Sequence, residues 1–188
     1  MTSFRILLAC FAGFVLTANN AMAQSTGAAE KAMATIDRAD DGLISALRQL
    51  DTAWIYARLG FTKAMFIDKP SPAYGQFSPR AHNEFKAGEN LIVYAEPVGY
   101  GFGKDNGAYL IGFDTDVEVQ NRTGQIIAGK SDFAKVALRS GSENKEFQAV
   151  LIYAFDGLKA GEYTLIVTFR DNNSEKSARF SLPFSVVE

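Results

Sequence analysis

The sequence predicts a mainly β protein, an antiparallel β-sandwich of six to seven strands preceded by a helical segment. Two observations support this fold class. In residues 81–188, apolar and polar side chains alternate between turn signals, as in half-buried strands. In residues 24–68, large apolar residues recur three, four or seven positions apart, which is typical of an amphipathic helix. Residues 69–80 carry three prolines and a glycine, and we expect them to be the connector between the two parts.

The first 23 residues have the pattern of a secretory signal peptide. Arg5 supplies a positive start, residues 6–15 are apolar, and residues 21–23 form a small-x-small cleavage site. The apolar run is too short to anchor the chain across a bilayer. We therefore expect a secreted or periplasmic protein that is cleaved after Ala23.

A competing interpretation is that residues 7–10 form a lipoprotein box in which Cys10 is lipidated. Only residues 6–9 separate Arg5 from Cys10, which is short against an apolar region of roughly 7–15 residues. Apolar residues also continue beyond Cys10 to Leu16. The sequence thus favours the cleaved signal peptide. Cleavage would remove the only cysteine, so stability must come from the core and not from a disulfide.

The composition excludes several classes of function. The formal net charge is −2 and no basic block is present, which disfavours nucleic-acid binding. No second apolar run approaches the ~20 residues of a membrane span. His82 is the only histidine, in a polar run where a loop position is the simplest interpretation. We therefore predict no cofactor, no metal site and no catalytic residue.

The strand segments share two-residue periodicity and are bounded by Gly, Pro, Asn and Asp. They are residues 89–96, 107–120, 125–133, 136–138, 146–155, 162–170 and 177–187. Residues 91–94 and 150–155 are apolar on both faces, although a two-layer sandwich leaves one face of each strand in water. We expect the helical segment to cover that sheet, with a partner subunit as the alternative.

A motif near the C-terminus indicates the type of sandwich. Leu158, Gly161 and Tyr163 form an L-x-x-G-x-Y pattern ahead of alternating apolar residues. This resembles the tyrosine corner of immunoglobulin-like and fibronectin-type-III-like sandwiches, in which the tyrosine hydroxyl bonds to upstream backbone. Phe85, Gly88 and Glu89 resemble the strand entry of exported sandwich modules. The resemblance covers residues 81–188 and implies an architecture without a specific activity.

Aromatic residues in two glycine-containing segments are the candidate binding residues. Tyr100 and Phe102 lie in the run 99–104, and Tyr74 and Phe77 lie in the connector. Loops on a rigid sandwich commonly carry binding sites, so these rings are expected to contact a protein, saccharide or peptide ligand. The alternative is that the rings pack onto the end of the domain.

Acidic residues offer two further possibilities. Asp114, Asp116 and Glu118 alternate along one strand face, where they would bind a cation or form a solvated face. The solvated face is favoured. A hydrolase with a carboxylate pair, such as Glu84 with Glu96, is the least favoured function, and no G-x-S-x-G nucleophile motif is present.

The sequence therefore favours an exported, non-enzymatic binding or interaction module. The alternative is a structural or assembly protein of the cell envelope. In that case the helix around residues 43–54 would pack on another chain, and an oligomer would form through it.

Overall fold

The computed structural model describes residues 39–188. The predicted signal peptide, its cleavage site after Ala23, Cys10 and residues 24–38 of the predicted helical segment lie outside the described residues. Residues 46–188 form one compact unit, whose boundary falls after Ser45. Within the described residues, no helix has both the length and the apolar character that crossing a membrane requires.

One helix, α1 (Asp41–Tyr56), precedes the strands in the described part of the chain. The Asp40 carboxylate accepts hydrogen bonds from the backbone N–H groups of Gly42 and Leu43 at 2.8 and 3.3 Å. Asp40 is thus the N-cap of the helix, and it satisfies two donors that have no partner within the helix.

Nine strands follow the helix in the described residues, and they form two sheets. They are β1 (Gly60–Phe66), β2 (Glu84–Lys86), β3 (Leu91–Val98), β4 (Gly103–Asp105), β5 (Ala108–Asn121), β6 (Ile126–Ser140), β7 (Ala149–Tyr153), β8 (Gly161–Asp171) and β9 (Ser177–Val187). One sheet has the order β1-β3-β7. The other has the order β2-β9-β8-β5-β4, with β6 also paired to β5, and it is curled like half a barrel. The chain is mainly β with a preceding helix, as the sequence predicts.

Alternation along the strands sends one set of side chains into a core shared by both sheets. In β8, Leu165, Val167 and Phe169 are buried, while the residues between them are half-buried. Phe61 of the three-stranded sheet meets Phe169 across the core, with ring centroids 5.2 Å apart. Full burial of such a side chain contributes about 1.5–3 kcal/mol, and this apolar contact between the sheets holds the fold together.

Three details of the strand prediction are wrong. Residues 60–66 are strand β1 and not part of the helical segment, because a register shift between Phe61 and Lys63 interrupts the two-residue pattern. The predicted strands 125–133 and 136–138 are one strand, β6, whose bulge includes Asp132 at φ 50°. The short strand β2 pairs with β9 in parallel, so the six-stranded sheet is not wholly antiparallel.

The described part of the helical segment does not cover the three-stranded sheet as expected, and residues 24–38 of that segment lie outside the described residues. No residue of α1 is buried, and Leu47 and Leu50 are about half exposed, at 48% and 47%. The cover comes instead from the connector, because its Phe77 ring lies on Tyr94 with the centroids 4.6 Å apart. Tyr94 is thereby buried, but Ile152 in β7 stays 47% exposed.

Candidate functional site

The connector, residues 69–80, forms a loop that lies over strand β3. A β-bridge between Ile67 and Pro79 closes its base. Within it, the Ser71 hydroxyl donates to the backbone carbonyl of Gln76 at 2.6 Å. Phe77 packs on Tyr94, as described above, and Tyr74 is exposed at 37%. Of the two aromatic residues predicted as binding residues in the connector, Phe77 packs against the sheet, whereas Tyr74 is partly exposed.

A buried carboxylate lies beside this loop. Glu96 is 1% exposed and accepts hydrogen bonds from Thr62 Oγ1 at 2.9 Å, Lys63 Nζ at 2.9 Å and the Tyr94 hydroxyl at 2.8 Å. The Tyr94 hydroxyl in turn accepts from the backbone N–H of Gly75 at 2.9 Å. A charge can be buried without large cost only when it is paired and hydrogen-bonded, and this cluster meets that condition.

The cluster shifts the protonation equilibria of its members. Burial acts to raise the pKa of Glu96, but the hydrogen bonds from Lys63, Tyr94 and Thr62 outweigh it and leave the pKa lowered. The hydrogen bond to Glu96 raises the pKa of Lys63. Burial raises the pKa of Tyr94 to about 12. At neutral pH the cluster therefore holds an ion pair and a neutral tyrosine, which suits a structural anchor for the connector.

Tyr100 and Phe102 belong to a second aromatic cluster, built around Trp54 of α1. Tyr100 is 1% exposed, and its ring meets that of Trp54 edge-on at 5.0 Å. The Trp54 Nε1–H donates to the Tyr100 carbonyl oxygen at 2.8 Å, and the Tyr100 hydroxyl donates to the Asn144 carbonyl oxygen at 2.7 Å. Phe102 is half-buried and stacks on Trp54 at 6.4 Å. In this cluster the rings pack against the domain, as the alternative interpretation of the sequence expected.

Three of the four predicted binding residues therefore fall into two aromatic clusters with different neighbours, and Tyr74 is in neither. Phe77 contacts Tyr94, whereas Tyr100 and Phe102 contact Trp54. None of the four lines the large surface groove described next. Of the predicted rings, Tyr74 presents the most surface to a ligand.

A polar groove of about 770 Å³ crosses one end of the six-stranded sheet. Cross-strand pairing explains its floor, because Gln120, Thr164 and Pro183 stand side by side on β5, β8 and β9. A second row joins Glu162 and Ser185 of the same strands to Glu84 of β2. The residues that line the groove are Ala81, His82, Asn83, Glu84, Gln120, Asn121, Arg122, Gly124, Glu162, Tyr163, Thr164, Pro183, Phe184 and Ser185.

Arg80 fixes one wall of this groove. Its Nε–H donates to the His82 carbonyl oxygen at 3.1 Å and its Nη2–H donates to the Glu84 carbonyl oxygen at 2.7 Å. Its guanidinium also pairs with Glu89 at 2.8 Å and lies 4.1 Å from the centre of the Phe85 ring. The planar, multiply bonded guanidinium holds residues 82–84 in place, which a lysine would not reproduce.

The opposite wall is a tight turn held by Asn121. Its side-chain Oδ1 accepts from the backbone N–H groups of Thr123 and Gln125, each at 3.0 Å. Next to it, Arg122 and Glu162 approach within 3.9 Å, and both side chains are mainly exposed. Such an exposed pair contributes little stability and leaves both groups free to contact a ligand.

Tyr163 of the predicted tyrosine corner lies at the edge of the same groove. The Tyr163 hydroxyl donates to the Lys159 carbonyl oxygen at 2.8 Å, which is the upstream backbone bond that the sequence motif predicts. The Tyr163 ring stacks on Phe184 at 5.5 Å. Leu158 packs against the core and Gly161 begins β8 beneath the tyrosine ring.

Two members of the acidic row Asp114, Asp116 and Glu118 on β5 form ion pairs. Asp116 pairs with Arg170, which also bonds Asp132. Asp114 lies 3.7 Å from Lys135 Nζ. Among residues 39–188, no group of histidine, cysteine or acidic side chains is arranged to hold a metal ion. These contacts fit the charged, solvated face better than a cation site.

Sequence reasoning missed the polar groove and the buried cluster around Glu96. The groove is assembled from β2, β5 and the consecutive strands β8 and β9, so no single local motif marks it. Glu96 did carry a signal, since it is an acidic residue inside a strand that is apolar on both faces. A buried carboxylate requires hydrogen-bond donors or a cation, and the neighbouring strand β1 supplies them as Thr62 and Lys63.

No protein-family model matches this chain, and no curated protein matches it in sequence. Its function is therefore inferred from the geometry of the described residues.

Proposed function

We propose that the protein is an exported, non-enzymatic binding module that holds a neutral oligosaccharide in the polar groove. We further propose that its two sheets form an immunoglobulin-like sandwich. The Tyr163 hydroxyl bond to Lys159 and the core shared by both sheets support that architecture. Export rests on the leader pattern, and the first residue of the protein recovered from producing cells should be Gln24.

The lining of the groove is the observation that carries the proposal. It combines the Gln120 amide, the Thr164 and Ser185 hydroxyls, two carboxylates and one guanidinium with Asn83 and Asn121, whose side-chain amides already bond neighbouring backbone. Amides and hydroxyls both donate and accept hydrogen bonds, as the hydroxyl groups of a sugar do. With the charges nearly balanced, a neutral ligand fits better than an ionic one. The open shape suits an extended chain more than a small enclosed molecule.

The structure separates the acid pair that the sequence suggested for hydrolysis. Of the acid pair considered from the sequence, Glu84 lines the groove whereas Glu96 is buried and bonded to three donors. A glycosidase needs two carboxyl groups flanking one bond, and these two do not share the groove.

The test compares two threonines on the same face of β8. Thr164 lies in the groove, and Thr168 lies four residues further along and does not line it. The wild type, a Gln120→Ala/Thr164→Ala variant and a Thr168→Ala control are titrated with neutral oligosaccharides and with polar peptides. Loss of about two hydrogen bonds, each contributing about 0.5–1.5 kcal/mol, should weaken saccharide binding roughly tenfold or more in the double variant alone. Binding of peptides only, or equal effects of Thr168→Ala, would refute the saccharide proposal.

A second candidate function is assembly in the cell envelope through α1. The observation that favours it is the exposure of three large apolar side chains on one face of the helix, namely Leu43, Leu47 and Leu50. Contiguous exposed apolar residues commonly mark an interaction surface. Cross-linking from position 47, described below, tests whether this surface contacts another chain.

A further inference from the structure

Helix α1 has an apolar stripe that is unpartnered within the described residues. Leu43, Leu47 and Leu50 are 54%, 48% and 47% exposed. Their spacing of four and three residues continues to Trp54, so they follow the 3.5-residue period of a coiled-coil seam. A seam with this period is the surface that another helix recognises.

The second half of the helix is tied to the β domain by specific contacts. Trp54 packs on Tyr100 and Phe102 and donates to the Tyr100 carbonyl oxygen. Asp51 pairs with Lys145 at 2.7 Å, and Lys176 Nζ donates to the Ile55 carbonyl oxygen at 3.2 Å. The last member of the stripe is therefore used within the protein, while Leu47 and Leu50 remain available.

The residues beside the stripe point to an identical helix as the occupant. Ala46 and Ala53 flank Leu47 and Leu50 at the positions where coiled coils usually carry charges, and their small side chains allow two helices to approach closely. The charge at the remaining flanking position, Asp51, is already neutralised by Lys145. Two copies of the helix would thus meet without repulsion between like charges and without an unmatched charge that requires a different partner.

We propose that α1 pairs with α1 of a second copy of this chain along Leu43, Leu47 and Leu50. The pairing rests on the assembly function proposed above and names its partner. Because the contact is a helix pair, the saccharide groove at the end of the six-stranded sheet is not part of it.

Engineered cysteines on opposite faces of the helix test the proposal. The full chain is prepared with Cys10→Ser, so that any introduced cysteine is the only thiol. Leu47→Cys lies in the seam, and Thr52→Cys is a control on the opposite face of the same helix. Under mild oxidation we expect Leu47→Cys to form a covalent dimer at least tenfold faster than Thr52→Cys. Sedimentation of the wild type should give twice the chain mass, and Leu47→Asp should give the mass of one chain.

The outcomes distinguish pairing of two copies of this chain from assembly with a different envelope protein. Helical circular dichroism and Trp54 fluorescence check that Leu47→Asp keeps its fold. A monomeric wild type with equal cross-linking rates for the two cysteines would overturn the self-pairing. In that event, the benzophenone variant Leu47→p-benzoylphenylalanine is irradiated in producing cells. An adduct with one distinct envelope protein would leave the assembly function standing with a different partner, and the absence of any adduct would overturn both.

Discussion

The Tyr94 hydroxyl donates a hydrogen bond to the Glu96 carboxylate at 2.8 Å, and both residues lie on the outer face of β3 under the connector. That face would be expected to meet solvent or a helix. Instead, a loop covers it, and the buried Glu96 carboxylate beside the loop pairs with Lys63, whose side chain is 44% exposed. The connector is thus bound to the sheet by the packing of Phe77 on Tyr94 and by the hydrogen bond that the Gly75 N–H donates to the Tyr94 hydroxyl.

The first prediction concerns this carboxylate and pH. Because hydrogen bonding lowers the pKa of Glu96 below its ordinary value of 4.5, its charged form is favoured in the folded state. Its contribution to stability is present above pH 4.5 and is lost as the pH falls through the lower folded value. We expect Glu96→Gln to lower the free energy of unfolding at pH 7 by about 1–3 kcal/mol, since buried donors lose a charged acceptor. Urea unfolding at pH 7 and at pH 3 measures both effects.

The control for this prediction is Glu175→Gln, at an exposed position. It should leave the free energy of unfolding at pH 7 within about 0.5 kcal/mol of the wild type. If Glu96→Gln lost as much stability between pH 7 and pH 3 as the wild type does, the assigned role of Glu96 would be wrong.

The second prediction concerns the connector. Phe77→Ala removes the ring that lies on Tyr94, and we expect a loss of about 1–3 kcal/mol, less than for a fully buried phenylalanine because Phe77 is only half-buried. Residues 70–78 should then be cleaved faster by a protease of broad specificity. The matched variant Tyr74→Ala changes a more exposed ring in the same loop and should change the cleavage rate little. Equal cleavage rates for Phe77→Ala and the wild type would contradict the anchoring role.

The third prediction concerns Trp54, the only tryptophan. Trp54→Phe keeps an aromatic ring against Tyr100 but removes the indole donor to the Tyr100 carbonyl oxygen. We expect a loss of about 0.5–1.5 kcal/mol. Hydrogen exchange should become faster in residues 51–56 and stay unchanged in β8. Uniform acceleration in both regions would show that Trp54 supports the whole domain and not the helix attachment alone.

The fourth prediction concerns the tyrosine corner. Tyr163→Phe removes the hydroxyl that donates to the Lys159 carbonyl oxygen. Because that carbonyl is near solvent, water can replace the lost donor, and we expect a loss of about 0.5–1.5 kcal/mol in thermal or urea unfolding. Tyr56→Phe, at an exposed tyrosine of α1, is the matched control and should be neutral. If Tyr163→Phe left the free energy of unfolding unchanged, the Tyr163 hydroxyl bond would not stabilise the fold.

The strands with clean alternation could be predicted closely from the sequence. The expected strand at 177–187 is β9, and 162–170 differs from β8 by one residue at each end. These strands bury one face and leave the other half-exposed, so their periodicity is visible in the sequence. Strand β1 could not be predicted this way, because a register shift between Phe61 and Lys63 breaks its pattern. The three-residue strands β2 and β4 are too short to show a period.

The candidate site was less accessible to sequence reasoning. Glycine and aromatic residues predicted a loop around Tyr100 and Phe102. The residue types of a loop do not reveal whether its rings face solvent or pack against the domain. The Tyr100 ring turned inward because Trp54 of the helix, 46 positions earlier, provides a surface and a hydrogen bond to its backbone. The groove depends on Gln120, Thr164 and Pro183 standing in one row, which only the pairing of β5, β8 and β9 brings about.

The sequence by itself determined the local structure. Side-chain periodicity sets the mainly β character and the helix, because each strand or helix must segregate apolar from polar side chains along its own length. Only the tertiary structure decided which segment covers the three-stranded sheet and where polar side chains gather. Those outcomes depend on contacts between residues far apart in the chain, such as Phe77 with Tyr94 and Lys63 with Glu96, whose free energy appears only once the sheets have paired.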